Sequence, residues 1–270
     1  MRTDEGFVVV ATQLKPYLTA AQMLADGLKE FAPDHPVICY TETKWVNDPG
    51  NHIFDKVVGG MPQSNRAKLF ALRQSPFDIT CYLDSDMMCI HPDAPLVFKG
   101  LKDGYDMAWT KIRTYAAAKT WWNKFELKVP HGGMCLFRKS KRMTSFMKQW
   151  WDNWRWCREN HWHSRWDNKY HYWDVRGWDQ FPLHLMLGVI DKEDPWYRSD
   201  IKWHWIYGGD PPCTKQTSDW DDGQDSRWNW IIGYDPEREK ISRSDIVSVS
   251  YTHLRAHETK ANLVCRLLLE

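Results

Sequence analysis

Residues 76–90, P-F-D-I-T-C-Y-L-D-S-D-M-M-C-I, constrain this chain more than any other stretch. The run over residues 79–83 is almost continuously apolar, β-branched and aromatic. It breaks off in Asp84-Ser85-Asp86 before apolar residues return at Met87, Met88 and Ile90. Such a run is the pattern of a strand covered on both faces, as in an α/β sheet. Carboxylates at the C-terminal end of that strand fall where open α/β sheets place their ligands. Two of them, two residues apart, present oxygens to one hard divalent cation. The bland reading is an acidic turn after a strand; the flanking apolar run favours the cation.

The pattern on either side supplies the rest of a sheet. Residues 6–13, G-F-V-V-V-A-T-Q, predict the first buried strand. Leu18, Ala21, Leu24, Leu28 and Phe31 recur at steps of three and four and predict a helix, with Thr19 as its cap and Pro33 closing it. Residues 36–40 predict a second strand and residues 54–58 a weaker third. This β-α-β opening predicts a mainly parallel, right-handed wound sheet flanked by helices. Residues 65–73, N-R-A-K-L-F-A-L-R, predict a helix with Leu69 and Leu72 inward and Arg66 and Lys68 near its start. Alone, those two are a solvated face. Beside a carboxylate-held cation, they are the charges a diphosphate requires.

Residues 105–112 predict another strand. In H-G-G-M-C-L-F, residues 131–137, Gly132 and Gly133 precede an apolar strand; they either let backbone approach a ligand closely or form a plain turn. Residues 141–159 predict a helix with Met143, Phe146, Met147, Trp150, Trp151 and Trp154 on helical spacing, so these tryptophans read as core. Periodicity is lost over residues 160–176, where His161 and His163 lack the partner pair of a structural metal site. Gly177-Trp178-Asp179-Gln180 then opens a helix running to Leu187, and Asp179 in its first turn suits the helix dipole. Residues 219–225, D-W-D-D-G-Q-D, contain a second D-x-D but lack the EF-hand spacing and closing Glu, and read as an acidic surface loop.

A chain of 270 residues is long enough for one α/β domain or a domain with an insertion. Its net charge of +1 suggests neither nucleic acid nor an anionic membrane as partner. The seven cysteines include no C-x-x-C pair and read as small buried hydrophobes. No signal-peptide pattern opens the sequence and no apolar run reaches bilayer length, so the expectation is a cytoplasmic protein without a membrane span.

The end of the chain reads differently. Residues 249–259, V-S-Y-T-H-L-R-A-H-E-T, resemble the translation of a transposase sequencing adaptor, and residues 263–269, L-V-C-R-L-L-L, that of the adaptor following the index. The expectation is a single domain over residues 1–247, a non-native tail over residues 248–270, and a missing native C-terminus. His253, His257 and Cys265 are accordingly given no functional weight.

Over roughly residues 7–190 the order of these motifs resembles a GT-A-fold glycosyltransferase of the glycogenin and galactosyltransferase-like group. The resemblance implies a nucleotide-binding opening at Ala11 and Thr12, with Tyr17 packed on the base. It implies Lys68 or Arg66 facing the diphosphate. In Y-L-D-S-D it implies Asp86 as metal ligand, Asp84 on metal or ribose, and Ser85 between them in the cofactor-binding set. Gly132 and Gly133 would lie beside the donor, and Asp179 and Gln180 would be the catalytic pair at the donor sugar. Mn2+ or Mg2+ is the implied metal, a nucleotide-diphosphate sugar the donor, and a glycan or other hydroxyl compound the acceptor. The sequence departs from the family where His131 or Gly132 replaces a common Asn or Asp. A role for Asp179 as base would imply inversion, and the residues leave stereochemistry open.

Three other readings stand beside this one. A haloacid-dehalogenase-type phosphatase also ends a strand in D-x-D, with its first Asp as nucleophile, though usually near the N-terminus and followed by Thr or Val. A nucleotidyltransferase would want a Gly-rich phosphate loop after the first strand, where Ala11-Thr12-Gln13 stands. A non-catalytic sugar-binding protein would explain 18 tryptophans but not the D-x-D.

Overall fold

The computed structural model describes residues 4–89, 92–111, 130–160, 179–206, 230–231 and 248–250. In chain order its main elements begin with β1 (Glu5–Ala11), α1 (Lys15–Phe31), β2 (Val37–Thr41) and β3 (Lys56–Val58). They continue with α2 (Lys68–Ala71), β4 (Ile79–Asp84), β5 (Met87–Cys89), β6 (Met107–Lys111) and β7 (Pro130–Arg138). Next come α3 (Lys141–Glu159), α4 (Gln180–Met186) and β8 (Trp203–Trp205), and then β9 (Trp230–Ile231) and β10 (Ser248–Ser250).

β1 is apolar from Phe7 onward because both of its faces are covered. Phe7, Val9 and Ala11 enter one core with Leu18, Leu24 and Leu28 of α1. Val8 and Val10 enter a second core with Leu69 of α2, Phe146 and Trp150 of α3, and Leu183 of α4. A period of two splits one apolar run between two layers. Each leucine fully buried in this way stabilises the fold by about 1.5–3 kcal/mol.

The seven-stranded sheet has the order β3-β2-β1-β4-β7-β6-β8. β1 runs parallel to β2 and β4, β2 to β3, and β6 to β8, whereas β7 is antiparallel to both neighbours. The expected mainly parallel sheet is present, with β7 as the reversal. Trp150 and Trp154 are buried in the core, as the helical spacing predicts. Cys39, Cys81, Cys89, Cys135 and Cys157 are buried, and burial pushes the Cys39 thiol up to about 12. Among the described residues no helix is long and apolar enough to cross a membrane.

Two helices differ from their predicted bounds. α1 begins at Lys15 rather than Leu18, because Pro16 falls in the first turn, where its missing N–H costs nothing. The residue at the cap is therefore Leu14, and Thr19 lies inside the helix. The helix expected over residues 65–73 shrinks to α2, followed by a tighter turn over Leu72–Gln74. β5 and β8, three residues each, are too short for periodicity to reveal. His161, His163, Trp178, residues 219–225 and His253 lie outside the described residues.

β5 continues from the Asp84-Ser85-Asp86 turn and packs on α1. A Cβ at Gly27 of α1 would lie 2.4 Å from the Cys89 carbonyl oxygen, so the helix passes β5 with no room for a side chain. The other edge of β5 pairs antiparallel with β10, which is parallel to β9. Ser248–Ser250 opens the adaptor-like segment; an open strand edge pairs with extended backbone whatever its origin.

Gly→Ala inside a helix ordinarily stabilises by about 0.5–1 kcal/mol. The sign reverses at Gly27: Gly27→Ala is expected to cost about 1–3 kcal/mol by overpacking against backbone. Urea unfolding of the variant checks this, and a midpoint at or above wild type refutes the close approach.

Candidate active site

The reversal of β7 builds the site. β1, β4 and β6 end at one edge of the sheet, and the antiparallel β7 begins there. Asp84 is the last residue of β4, and the register Leu83↔Met134 sets Gly133 beside it. A Cβ at Gly133 would lie 3.3 Å from Asp84 Oδ2 and 2.7 Å from His131 Cε1. The Gly133 N–H donates to His131 Nδ1 at 3.2 Å. Gly132 and Gly133 are therefore strand residues on which side chains of the protein close in, not a plain turn.

Lys68 is the centre of the charge arrangement. Its ammonium, 6% exposed, donates to the Gly132 carbonyl at 2.7 Å and to Asp84 Oδ1 at 3.2 Å. It also lies 3.1 Å from Asp179 Oδ2, while Arg66 Nε lies 3.0 Å from Asp179 Oδ1. Those two contacts with Asp179 are ion pairs by distance, set off the angle of a good hydrogen bond. The Tyr82 hydroxyl donates to Asp84 Oδ1, and burial together with that carboxylate pushes its own proton affinity well up. Burial alone would lower Lys68 and raise Asp179; in each case the opposite charges outweigh it. Asp179 and Asp84 hold the ammonium above its ordinary value, and Lys68 and Arg66 hold the Asp179 carboxyl below its own.

Thr12, Tyr17, Arg66, Asp84, Ser85 and Asp86 line one cavity of about 170 Å³ with Lys68 at its back. Ala11 does not reach it: its side chain is in the core, and Val10 and Thr12 form that wall. The Thr12 hydroxyl donates to the Ser64 carbonyl at 2.6 Å, tying the end of β1 to the loop that carries Arg66. Arg66, with a side chain 27% exposed, opens onto the cavity, whereas Lys68 does not sit on a solvated face.

Asp179 and Gln180 stand at the start of α4. The Trp150 indole N–H donates to the Asp179 carbonyl at 2.7 Å, which fixes the start of α4 against α3. Gln180 reaches β7: a Cβ at Gly132 would lie 3.2 Å from its Cγ and 3.4 Å from Lys68 Nζ. Farther along α4, His184 Nε2–H donates to the Pro130 carbonyl at 3.0 Å, since a carbonyl can only accept. Burial, the largest influence, pushes His184 down to about 4 against the opposing effects of that hydrogen bond and of Asp179.

Sequence reasoning did not single out Tyr82, Trp150 or His184 for the site. Tyr82 was within reach, because residues two apart on a strand share a face and Tyr82 stands two before Asp84. Trp150 and His184 act through packing between distant elements, which leaves no local signal. Among the described residues no group of three or more His, Cys, Asp or Glu is arranged to hold a metal.

No protein-family model matches the sequence, and a search of curated proteins finds no match. Solved structures do share the fold. The glycosyltransferase GlyE of Streptococcus pneumoniae TIGR4 superposes with a TM-score of 0.55 at 13% identity, over 94% of this chain and 56% of that one. The bifunctional glycosyltransferase WbbM superposes with a TM-score of 0.53 at 12% identity, over 94% of this chain and 47% of that one. This chain thus spans about half the length of each of those two. A galactosyltransferase LgtC in complex with donor and acceptor sugar analogues aligns over 97% of this chain and 94% of its own at 13% identity, with a TM-score of 0.48. The fold is that of the GT-A glycosyltransferases.

Two outcomes follow from the charges. Lys68→Met leaves the Asp84 and Asp179 carboxylates and the Gly132 carbonyl without their shared partner and is expected to cost about 3–5 kcal/mol in urea unfolding. Above about pH 6.5, folded and unfolded chains both carry His184 neutral. Below that pH the unfolded chain binds a proton that the fold refuses until about pH 4, so stability falls across this window. The part belonging to His184 is on the order of 3 kcal/mol. Melting curves from pH 7 to pH 4 are expected to fall more steeply for wild type than for His184→Gln.

Proposed function

We propose that this chain is a metal-dependent glycosyltransferase that moves a sugar from a nucleotide-diphosphate sugar to a hydroxyl acceptor. One observation carries the reading: Asp84, Asp86 and Arg66 line a single cavity at the ligand edge of a GT-A sheet, with Lys68 and Asp179 locked behind them. In this reading Tyr17 and Thr12 take the nucleoside end and Arg66 takes the diphosphate. GlyE and WbbM are glycosyltransferases on the same fold, which supports the reaction class.

The residues present fit a hard divalent cation. Lys68 and Tyr82 both occupy Asp84 Oδ1, while Oδ2 faces Gly133 and Asp86 lines the cavity. Asp84 and Asp86 would hold Mn2+ or Mg2+ through oxygen. The cation supplies charge neutralisation of the departing diphosphate. Among the described residues, Asp84, Asp86 and Asp179 lie at or behind the cavity together with Lys68 and Arg66.

The protein's own groups divide the remaining work. Arg66 holds the diphosphate at its exposed end while its Nε stays on Asp179. Lys68 serves the protein rather than the donor: it sets the positions of Asp84, Asp179 and the Gly132 carbonyl. Asp179, buried and paired with two cations, is a weak base, so its part is to orient the donor sugar. Gln180, whose Oε1 has no hydrogen-bond partner among the described residues, offers that oxygen to a sugar hydroxyl. The phosphatase reading is not favoured, because a nucleophilic Asp84 would have to give up Lys68 and Tyr82 on a sheet of another fold. The cytoplasmic setting belongs to this proposal as well.

Calorimetry with UDP and with GDP, in Mn2+ and in chelator, tests the reading. Binding is expected in Mn2+ and at least tenfold weaker in chelator or in Asp84→Asn/Asp86→Asn. Arg66→Ala is expected to weaken nucleotide binding about tenfold or more even in Mn2+. A folded wild-type chain that binds neither nucleotide overturns the proposal.

A further inference from the structure

We infer that Glu42 is a positioning residue for the nucleoside end of this site, holding the chain between β1 and α1 in a strained turn that aims Tyr17 into the cavity. The inference rests on the nucleotide-sugar reading and deepens it. Gln13 has φ +77°, the one described non-glycine residue on the positive side. The Leu14 N–H donates to the Thr12 carbonyl at 2.9 Å, so Gln13 is the centre of a γ-turn of the rare, strained hand. Conformations of this kind persist only where the surroundings impose them.

Glu42 imposes this one. It follows β2 directly, 29 residues along the chain, and is 8% exposed. Its Oε1 accepts the Gln13 N–H at 2.6 Å, and its Oε2 is paired with Lys44 at 2.8 Å. A charged acceptor on a backbone N–H is among the stronger hydrogen bonds a loop can have. The turn has direct consequences downstream. Leu14 becomes the cap residue of α1 without any side-chain cap of its own, and its carbonyl accepts the Tyr17 N–H at 3.0 Å. Tyr17, 38% exposed, is thereby placed on the wall of the cavity that Arg66 also lines. The start of α1 is fixed from the other side by the Lys15–Asp48 ion pair and by Gln22 Nε2, which donates to Asp48 Oδ1 at 3.0 Å. Release of the Glu42 hydrogen bond lets the turn relax at Gln13 and shifts the first turn of α1, which carries Tyr17, while Gln22 holds the next turn in place.

This assignment separates the two ends of a nucleoside diphosphate. Glu42 governs the nucleoside end through Gln13 and Tyr17; Arg66, held on Asp179, governs the diphosphate. The full chain in Mn2+ is titrated with UDP, with GDP and with inorganic diphosphate. Glu42→Ala is expected to weaken the nucleotide about tenfold and inorganic diphosphate less than about twofold. Glu42→Gln, which keeps an acceptor oxygen without the charge, is expected to lose about threefold. Gln13→Gly relieves the strain by itself, so Glu42→Ala placed in that background is expected to lose less than about threefold. Equal weakening of nucleotide and diphosphate, no weakening, or a full tenfold loss in the Gln13→Gly background each overturns the inference. A wild-type chain that binds neither UDP nor GDP overturns the functional reading and this inference with it, which keeps the two failures apart.

Discussion

A lysine ammonium shut away from water is the interaction on which the rest of this site depends. Desolvation disfavours the charge on Lys68, and only its ring of acceptors makes it tenable: Asp84 from β4, Asp179 from the start of α4, and the Gly132 carbonyl from β7. Each partner lies in a different element, so the same charge that would destabilise an isolated lysine fastens three parts of the fold at one point. Asp179 is in turn buried only because Lys68 and Arg66 surround it. The result is a preset field: the charges at the back of the cavity are in place before any ligand arrives.

Topology delivers those partners. In a wholly parallel sheet, the residue facing the end of β4 would come from another strand's C-terminal end. The reversal of β7 instead brings a strand's first residues to that edge, and there the sequence places two glycines. Gly133 spares room beside Asp84, and Gly132 spares room for Lys68 and Gln180 to reach the backbone. On the opposite flank, α1 needs a glycine at position 27 so that β5, which continues from Asp86, can lie against it. The acidic turn is thus held between close contacts on both sides.

Much of this was legible in the chain itself. β1, β4 and α3 declare themselves because their apolar patterns are long and unbroken, and the bounds of α3 agree with the spacing of Met143, Phe146, Trp150 and Trp154. Asp84 and Asp86 were legible because an apolar run that stops abruptly in acid marks the ligand end of a buried strand. Lys68 was legible as a charge beside the acidic turn; helical spacing taken alone reads it as a solvated face, and only the sheet shows that this face of α2 looks inward at Asp84. Ala11 turns its side chain into the core, whereas Val10 and Thr12, on the other face of the strand, line the cavity. The antiparallel sense of β7 and the γ-turn at Gln13 left no pattern in the sequence. The first is decided by neighbours far along the chain, and the second by a carboxylate just past the adjacent strand.

The triple engagement of Lys68 also bears on how such a site can change over generations. An ammonium that serves two carboxylates and a carbonyl cannot be exchanged alone. Arginine would bring a planar fork into a space shaped for a point charge, and a neutral residue would strand two acids in the interior. Any lineage altering position 68 must pass through compensating changes at 84, 179 or 132, whereas Tyr17 and the cavity rim can drift one substitution at a time. The charges at the back of the cavity are thereby tied together as a block, and the residues of its rim are left free to diverge.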